Sequence, residues 1–321
     1  INKMALQLKK ATRKQVKLRL NLSAPSGAGK TYSALRMAYG IVGNWDKIAV
    51  IDTENGSASL YSHLGAFLTI DLAPPFSPER YIEAIKACEA GGIECCIIDS
   101  SSHEWNGAGG CIEMNEILAQ TKYKTNTWSA WNETTPKHDR FVNTVLQSPM
   151  HIITCTRSKT ETIQEGGRVK KVGMKDIQRE GWEYELTVSL NLDRDSHLAT
   201  PSKDRTGLFE GKIPFLITEK TGEEIKAWCE TGVDESAAIT DAVTKLASCN
   251  TVDELSALKI ELPSFVIQSP QFIATAKERY NAIIAQKKTD APAHTQNGLT
   301  DEEKAEIAKE EADLFSKSNK K

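Results

Sequence analysis

Residues Ala24 to Thr31 read Ala-Pro-Ser-Gly-Ala-Gly-Lys-Thr, a run of small residues ending in a lysine and a hydroxyl. Small residues let successive backbone N–H groups turn inward on an anion, and a helix that starts there adds its partial positive charge. The segment in front, Val16 to Ser23, alternates apolar and polar as a strand does, and Tyr32 to Tyr39 is helix-compatible. Strand, small-residue loop and helix is the setting in which such a loop holds phosphate. Pro25, Ser26, Gly27, Ala28 and Gly29 are the expected cradle, with Lys30 reaching the β- and γ-phosphates and Thr31 ligating Mg²⁺. Ala24 stands where the usual motif has its first glycine; that position opens the loop and admits alanine if its backbone angles are ordinary. The loop predicts a nucleoside triphosphate, with ATP and Mg²⁺ as the expected ligands.

Two acids compete to complete that site. Asp99 ends an apolar run, Ile93 to Asp99, where a phosphate-loop protein places the acid that holds Mg²⁺ through water. Asp52 ends a second run, Asp46 to Asp52, and qualifies on the same grounds. The residues after Asp52 separate the two, because Thr53-Glu54-Asn55-Gly56 puts a carboxylate just past the strand end. On a strand next to the phosphate-loop strand, Glu54 can orient or deprotonate the water that attacks the γ-phosphate.

With these residues in place the chain resembles a known family. Ile51-Asp52-Thr53-Glu54, with Tyr61 seven residues after the glutamate, resembles a segment of RecA-type recombinases. There the glutamate is the catalytic base and the tyrosine stacks on adenine; Tyr61 reads equally well as a core tyrosine. Ile97-Ile98-Asp99-Ser100 is similar to that family's Mg²⁺-acid strand, and Ile152 to Arg157 to its next strand, whose polar tip senses the γ-phosphate and is here assigned to Thr156. Ser202 to Gly207 resembles the late basic element of RecA and DnaB-type helicases, so Lys203 and Arg205 are expected to reach a neighbouring subunit's nucleotide. Positive charge there would stabilise the transferred phosphoryl group.

The resemblance also implies loops that bind single-stranded DNA, at His103 to Glu133 and at Ser158 to Arg179. The second carries Arg168, Lys170, Lys171 and Lys175 with no acid among them, a block able to pair with phosphates without reading sequence. Its alternative is a β-hairpin turning at Gly166-Gly167 with a solvated basic face. Trp105, Trp128 and Trp131 in the first loop are candidates for base stacking, or for the core. The overall expectation is an oligomeric ATPase, ring or filament, close to phage-encoded RecA-like annealing and recombination ATPases. A single-strand-binding or other replication protein would dock on its C-terminal region. A DnaB-like translocating helicase motor, and a nucleotide-dependent adaptor that touches no nucleic acid, are the rival readings.

The elements that must position these residues are legible in outline. Strands and helices alternate up to Met150–Cys155, and strands at Trp182 to Leu192, His197 to Ser202 and Ile213 to Thr218 close the pattern. That is an α/β fold: a RecA-like P-loop NTPase with a doubly wound, mostly parallel sheet and an antiparallel extension. His103 to Asn132 reads as a long loop with a helix near Cys111 to Ala119, and Pro136 to Gln147 as a helix. The expected division is a basic arm at 1–15, the ATPase core at 16–232, a small helical module at 233–286 and a linker with a charged helical tail at 287–321.

Composition sets the limits. At 40% hydrophobic and 26% charged residues with a net charge of −3, the chain is of globular type, and bulk charge alone would not draw it to a polyanion. Charge is uneven, however: residues 1–20 carry seven Lys and Arg and no acid, an arm either for phosphate backbone or for solvent. The seven cysteines show no Cys-x-x-Cys or zinc spacing and read as small core residues in a reducing setting. No run is long and apolar enough for a membrane span, and no secretory signal is evident, so a cytoplasmic location is expected, that of the bacterial host if the chain is phage-encoded.

Overall fold

A computed structural model of the chain describes residues 13–165 and 168–289, with the side chains of 160–173 and 287–289 outside that description. The described residues form two compact units: Val16–Glu230, and a second that joins residues 13–15 to residues 231–289. The basic arm up to residue 12, Gly166-Gly167 and the tail from 290 lie outside the described residues.

The larger unit is built on an eight-stranded sheet among the described residues. Its strands are β1 (Arg19–Ala24), β2 (Ile48–Asp52), β3 (Leu68–Asp71), β4 (Cys95–Asp99), β5 (His151–Glu165), β6 (Arg168–Asp176), β7 (Val188–Leu192) and β8 (Ala199–Asp204). They lie in the order β3-β2-β4-β5-β1-β7-β8, with β6 paired to β5 alone. All neighbours from β3 to β7 run parallel, whereas β5–β6 and β7–β8 are antiparallel. The expected doubly wound sheet with an antiparallel extension is therefore present.

Parallel strands covered on both faces need apolar residues throughout. In β2 and β4 every residue is buried, and alternate positions serve opposite faces. Val50, Ile97 and Ile153 pack on the side of α1 (Lys30–Val42), while Ile51, Ile98 and Ile152 pack on the side of α2 (Pro78–Ala90) and α5 (Thr127–Gln147). In β1 the polar positions are buried as well and find internal partners. Arg19 donates to the carbonyls of Leu18 and Met150, each at 2.7 Å, and to that of Ser148. It belongs to the core, not to a solvated basic arm.

Several expected elements are corrected. The stretch 103–132 is largely helical, comprising α3 (Ser102–Asn106), α4 (Cys111–Thr121) and the first turns of α5. Asn126 caps α5 by accepting from Ser129 N at 3.0 Å, so the helix starts well before Pro136, which sits inside it. Trp182 to Leu192 divides into α6 (Trp182–Glu185) and β7. Ile213 to Thr218 is not a strand; Phe215 makes a single antiparallel bridge to Ala199. The helix α7 (Glu219–Glu230) and β3 have no counterpart in the sequence reading, since the four residues of β3 are mostly exposed and lack an apolar run.

In the second unit α8 (Glu235–Ser248), α9 (Val252–Glu261), α10 (Ser264–Ile267) and α11 (Pro270–Thr289) enclose a core that includes Leu246, Leu255, Val266, Phe272 and Tyr280. Asp234 and Thr251 cap α8 and α9 by accepting from Ala237 N and Glu254 N. Lys14 pairs with Glu235 at 2.7 Å.

One close approach fixes α1, the helix that begins at the phosphate loop. A Cβ on Gly222 of α7 would stand 2.1 Å from the Met37 carbonyl oxygen, and a Cβ on Gly40 would stand 1.9 Å from the Glu219 carbonyl oxygen. Both encounters are with backbone, which cannot step aside cheaply. Gly222→Ala should therefore destabilise the chain by about 1–3 kcal/mol. Urea unfolding of the variant checks this, and an unchanged midpoint would show that the two helices have room to part.

Candidate functional site

β1 ends at Ala24 and the chain turns through Pro25–Gly29 into α1. Ala24 is a strand residue, so the alanine in place of glycine carries no backbone strain. The left-handed turns fall instead on Gly27 (φ 83°) and Gly29 (φ 85°). Lys30 is buried and donates to the carbonyls of Ala24 at 3.0 Å and Pro25 at 3.1 Å. Thr31 Oγ1 donates to Asp99 Oδ2 at 2.5 Å. Hydroxyl and carboxylate thus meet at one point, an all-oxygen pair of the kind Mg²⁺ takes together with water and phosphate oxygens. Beside them Ser100 Oγ is buried and has no hydrogen-bond partner among the described residues.

Asp52 has a different task. Its two oxygens accept from Glu54 N at 2.6 Å and Ala58 N at 2.7 Å, which shapes the turn after β2. Of the two competing acids, Asp99 is the one brought to Thr31. Burial pushes its carboxyl up to about 6, against the hydrogen bond from Thr31, which pulls it down.

Glu54 does not follow a strand adjacent to β1; β4 and β5 stand between β2 and β1. Strand order is a tertiary property, and nothing local in the sequence encodes it. The side chain nevertheless extends toward β1, because Arg157 Nε and Nη2 each lie 2.9 Å from Glu54 Oε1. Arg157 sits on β5 opposite Ala24 of β1 in the parallel register. The structure therefore brings Arg157, rather than Thr156, to Glu54. Thr156 is fully buried, its hydroxyl bonded to Asn21 Oδ1 at 2.6 Å.

Other predicted residues fall in varied places. Tyr61 is half-buried on the short 3₁₀ helix Ser57–Leu64, its ring 6.0 Å from that of Tyr32 in the first turn of α1. Lys203 ends on the carbonyls of Glu183 and Tyr184, and Arg205 donates to Tyr184 O at 3.0 Å. Both therefore sit along the β8 edge of the sheet, against α6 and away from Thr31 and Asp99. Burial and the charge of Arg205 lower the Lys203 ammonium. Trp105 and Trp131 stack at 5.5 Å, whereas Trp128 is 86% exposed.

The expected basic loop is the β5–β6 hairpin, with Glu165 opposite Arg168. The side chains of Arg168, Lys170 and Lys171 lie outside the described residues; Lys175 is exposed. At the base of the hairpin, Asp176 accepts from Ser23 Oγ and from Asn21 Nδ2.

Two further residues near the loop escape a reading of the sequence. His197, at φ 58° between β7 and β8, places Nδ1 3.2 Å from the Ala28 carbonyl oxygen. His103 contacts Thr53 Oγ1 at 2.8 Å, and burial together with the charge of Arg157 lowers its imidazole. Neither has a spacing to announce it. Arg157 does have a signal, an arginine closing an apolar strand.

Residues 16–211, more than half of the chain, match a family model described as an AAA domain. The chain belongs to that AAA-domain family. No curated protein matches it. Family and fold agree on a P-loop NTPase fold, and the AAA domain points to nucleotide-dependent ATPase activity. Among the described residues no helix is long and apolar enough to cross a membrane.

Asp99 imposes a pH dependence. Its folded pKa of about 6 lies above the ordinary value of 3.8, so the buried carboxylate form destabilises the fold. That penalty, up to about 3 kcal/mol, is complete above pH 6 and disappears as pH falls toward the unfolded pKa. Asp99→Asn should be the more stable chain at about pH 8, with a smaller advantage at about pH 5, in urea unfolding without nucleotide. An advantage that grows on acidification would reverse the assignment.

Proposed function

We propose that this AAA domain is a RecA-like, Mg²⁺-dependent ATPase that acts on single-stranded DNA in recombination, annealing, repair or replication. The observation that carries the reading is the meeting of Glu54 with Arg157 beside the phosphate loop, next to the Thr31–Asp99 pair. An acid, a guanidinium and an oxygen-donor pair around one loop are the parts that phosphoryl transfer to water requires.

In this reading the triphosphate lies on Pro25 to Thr31, and Lys30 exchanges its two carbonyl partners for phosphate oxygens. Thr31 and Asp99 hold Mg²⁺, which supplies charge neutralisation at the phosphates. Glu54 orients the water and accepts its proton. Arg157 passes from Glu54 Oε1 to a γ-phosphate oxygen, and Tyr61 with Tyr32 offers a ring surface to the base. Lys203 and Arg205, on the sheet edge, serve the nucleotide of a neighbour in a ring or filament. A phage origin, and docking of a single-strand-binding protein on the C-terminal region, belong to the same proposal.

Glu54→Gln should bind ATP normally and hydrolyse it at least about a hundredfold more slowly, the usual contribution of a positioned base. Lys30→Ala should instead lose nucleotide binding. Normal turnover in Glu54→Gln would remove Glu54 from the chemistry.

The DNA reading has its own test. Replacing Arg168, Lys170, Lys171 and Lys175 together with glutamine should weaken single-stranded DNA binding. It should also lower the slope of log affinity against log salt by roughly 0.7 for each phosphate left unpaired. An unchanged slope would separate the hairpin from DNA; no binding by the parent chain at low salt would favour the adaptor reading.

A further inference from the structure

Away from the phosphate loop, three helices of the larger unit bring unlike donors to one interior point. Glu104 of α3 is fully buried, and Cys111 of α4 and His138 of α5 are buried against it. Cys111 Sγ lies 3.1 Å from Glu104 Oε1, and His138 Nδ1 lies 3.0 Å from Oε1 and 3.2 Å from Oε2. Among the described residues this is the one group of three such side chains whose donor atoms all lie within 4.8 Å of one another.

As a purely hydrogen-bonded cluster it serves the carboxylate poorly. A thiol is a weak donor, and a ring N–H shared between two oxygens is aimed well at neither. Gln178 Nε2 adds an approach of 3.4 Å to Oε2. Buried charges otherwise persist by close pairing or by holding a metal. Zinc bonds of about 2.0–2.3 Å to nitrogen, oxygen and sulfur place neighbouring donors about 3.3–3.7 Å apart in a tetrahedron. The two edges to Glu104 Oε1, 3.1 and 3.0 Å, need to widen by less than about half an ångström, and the thiol and imidazole donors lie within 4.8 Å of each other.

We propose that Glu104, Cys111 and His138 form a structural site for a thiophilic divalent cation, zinc by preference. Cys111 binds as the thiolate after its proton passes to solvent, and His138 binds through Nδ1 with its proton on Nε2. Glu104 contributes both oxygens. One thiolate and one carboxylate balance the two positive charges, so the loaded site is neutral in an interior where net charge is costly. Gln178, which also donates to Ser101 O at 2.9 Å, steadies the carboxylate from behind. A cleft lined by His138, Asp139, Arg179, Trp182 and Glu185 gives the cation a way in beside His138. The bound ion would tie α3, α4 and α5 together immediately after Asp99.

Cobalt titration of the full chain, stripped with dipicolinate, tests the site without reference to ATP. Binding of Co²⁺ should give one equivalent of a near-ultraviolet thiolate-to-cobalt band that zinc removes. Thr31 and Asp99 offer only oxygen and cannot produce that band. Cys111→Ser should abolish it, while Cys249→Ser, in the other unit, should keep it. Should Cys111→Ser fail to fold, the wild-type chain gives a second reading: zinc should raise its unfolding midpoint with concentration, and dipicolinate should reverse the rise. Absence of the band, its survival in Cys111→Ser, or a midpoint indifferent to zinc would each leave a proton-bridged cluster and overturn the proposal.

Discussion

Asp99 is an acid at the end of a central parallel strand, almost without access to water, and its charge is unwelcome there. Thr31 relieves part of the penalty by donating to one oxygen and the charge of Lys30 relieves a little more, but no lysine or arginine forms an ion pair with Asp99 among the described residues. A fixed cation at this point would make the carboxylate permanently satisfied and useless as a ligand. The sheet instead leaves the acid under-served at the mouth of the phosphate loop. In the proposed role as a Mg²⁺ ligand, metal binding and reduced stability would be two aspects of one placement.

That placement imposes order on the chain beyond Asp99. Thr53 N donates to the Asp99 carbonyl at 2.8 Å, and Thr53 Oγ1 accepts from Ser100 N at 2.8 Å, so the turns after β2 and β4 are bound to each other. Ser101 N reaches Cys155 O at 3.0 Å, and Ser102 Oγ accepts from Arg157 N at 2.8 Å, which binds the same segment to β5. On the other flank Asn21 accepts from both Thr154 and Thr156 and donates to Asp176. These bonds join β1, β2, β4 and β5 around the segment that carries Asp99.

The outline of this arrangement is readable in the residues, and the reason differs from part to part. Local chemistry announces the phosphate loop, because only small residues allow backbone N–H groups to converge. Buried parallel strands announce themselves as short apolar runs, which is why β2 and β4 are visible. The helix α3 and the start of α5 are not, because Trp, Thr, His and Asn in 103–132 mimic a loop when their partners are unknown. Arg19 reads as part of a basic arm, for phosphate backbone or for solvent, since its carbonyl partners near residues 146–150 are remote in sequence. The order of β2, β4, β5 and β1 decides how Glu54 meets Arg157, and strand order is set by helix packing on both faces, not by any motif.

Arg157 changes what a neighbouring subunit would need to contribute. In the proposed reaction Glu54 must be free to take a proton, yet its Oε1 holds a guanidinium at 2.9 Å through two nitrogens. Both side chains keep some exposure, so the pair is worth little by itself and can be exchanged. The γ-phosphate of a bound nucleotide would be the stronger competitor, because it offers more charge and three oxygens. Movement of Arg157 onto phosphate would then do two things together: free the base and place a cation where charge develops. Lys203 and Arg205, resting on carbonyls at the β8 edge, would add to a site that already has an arginine in the same chain. Within that proposal assembly would tune hydrolysis, and the single chain would retain a complete set of groups.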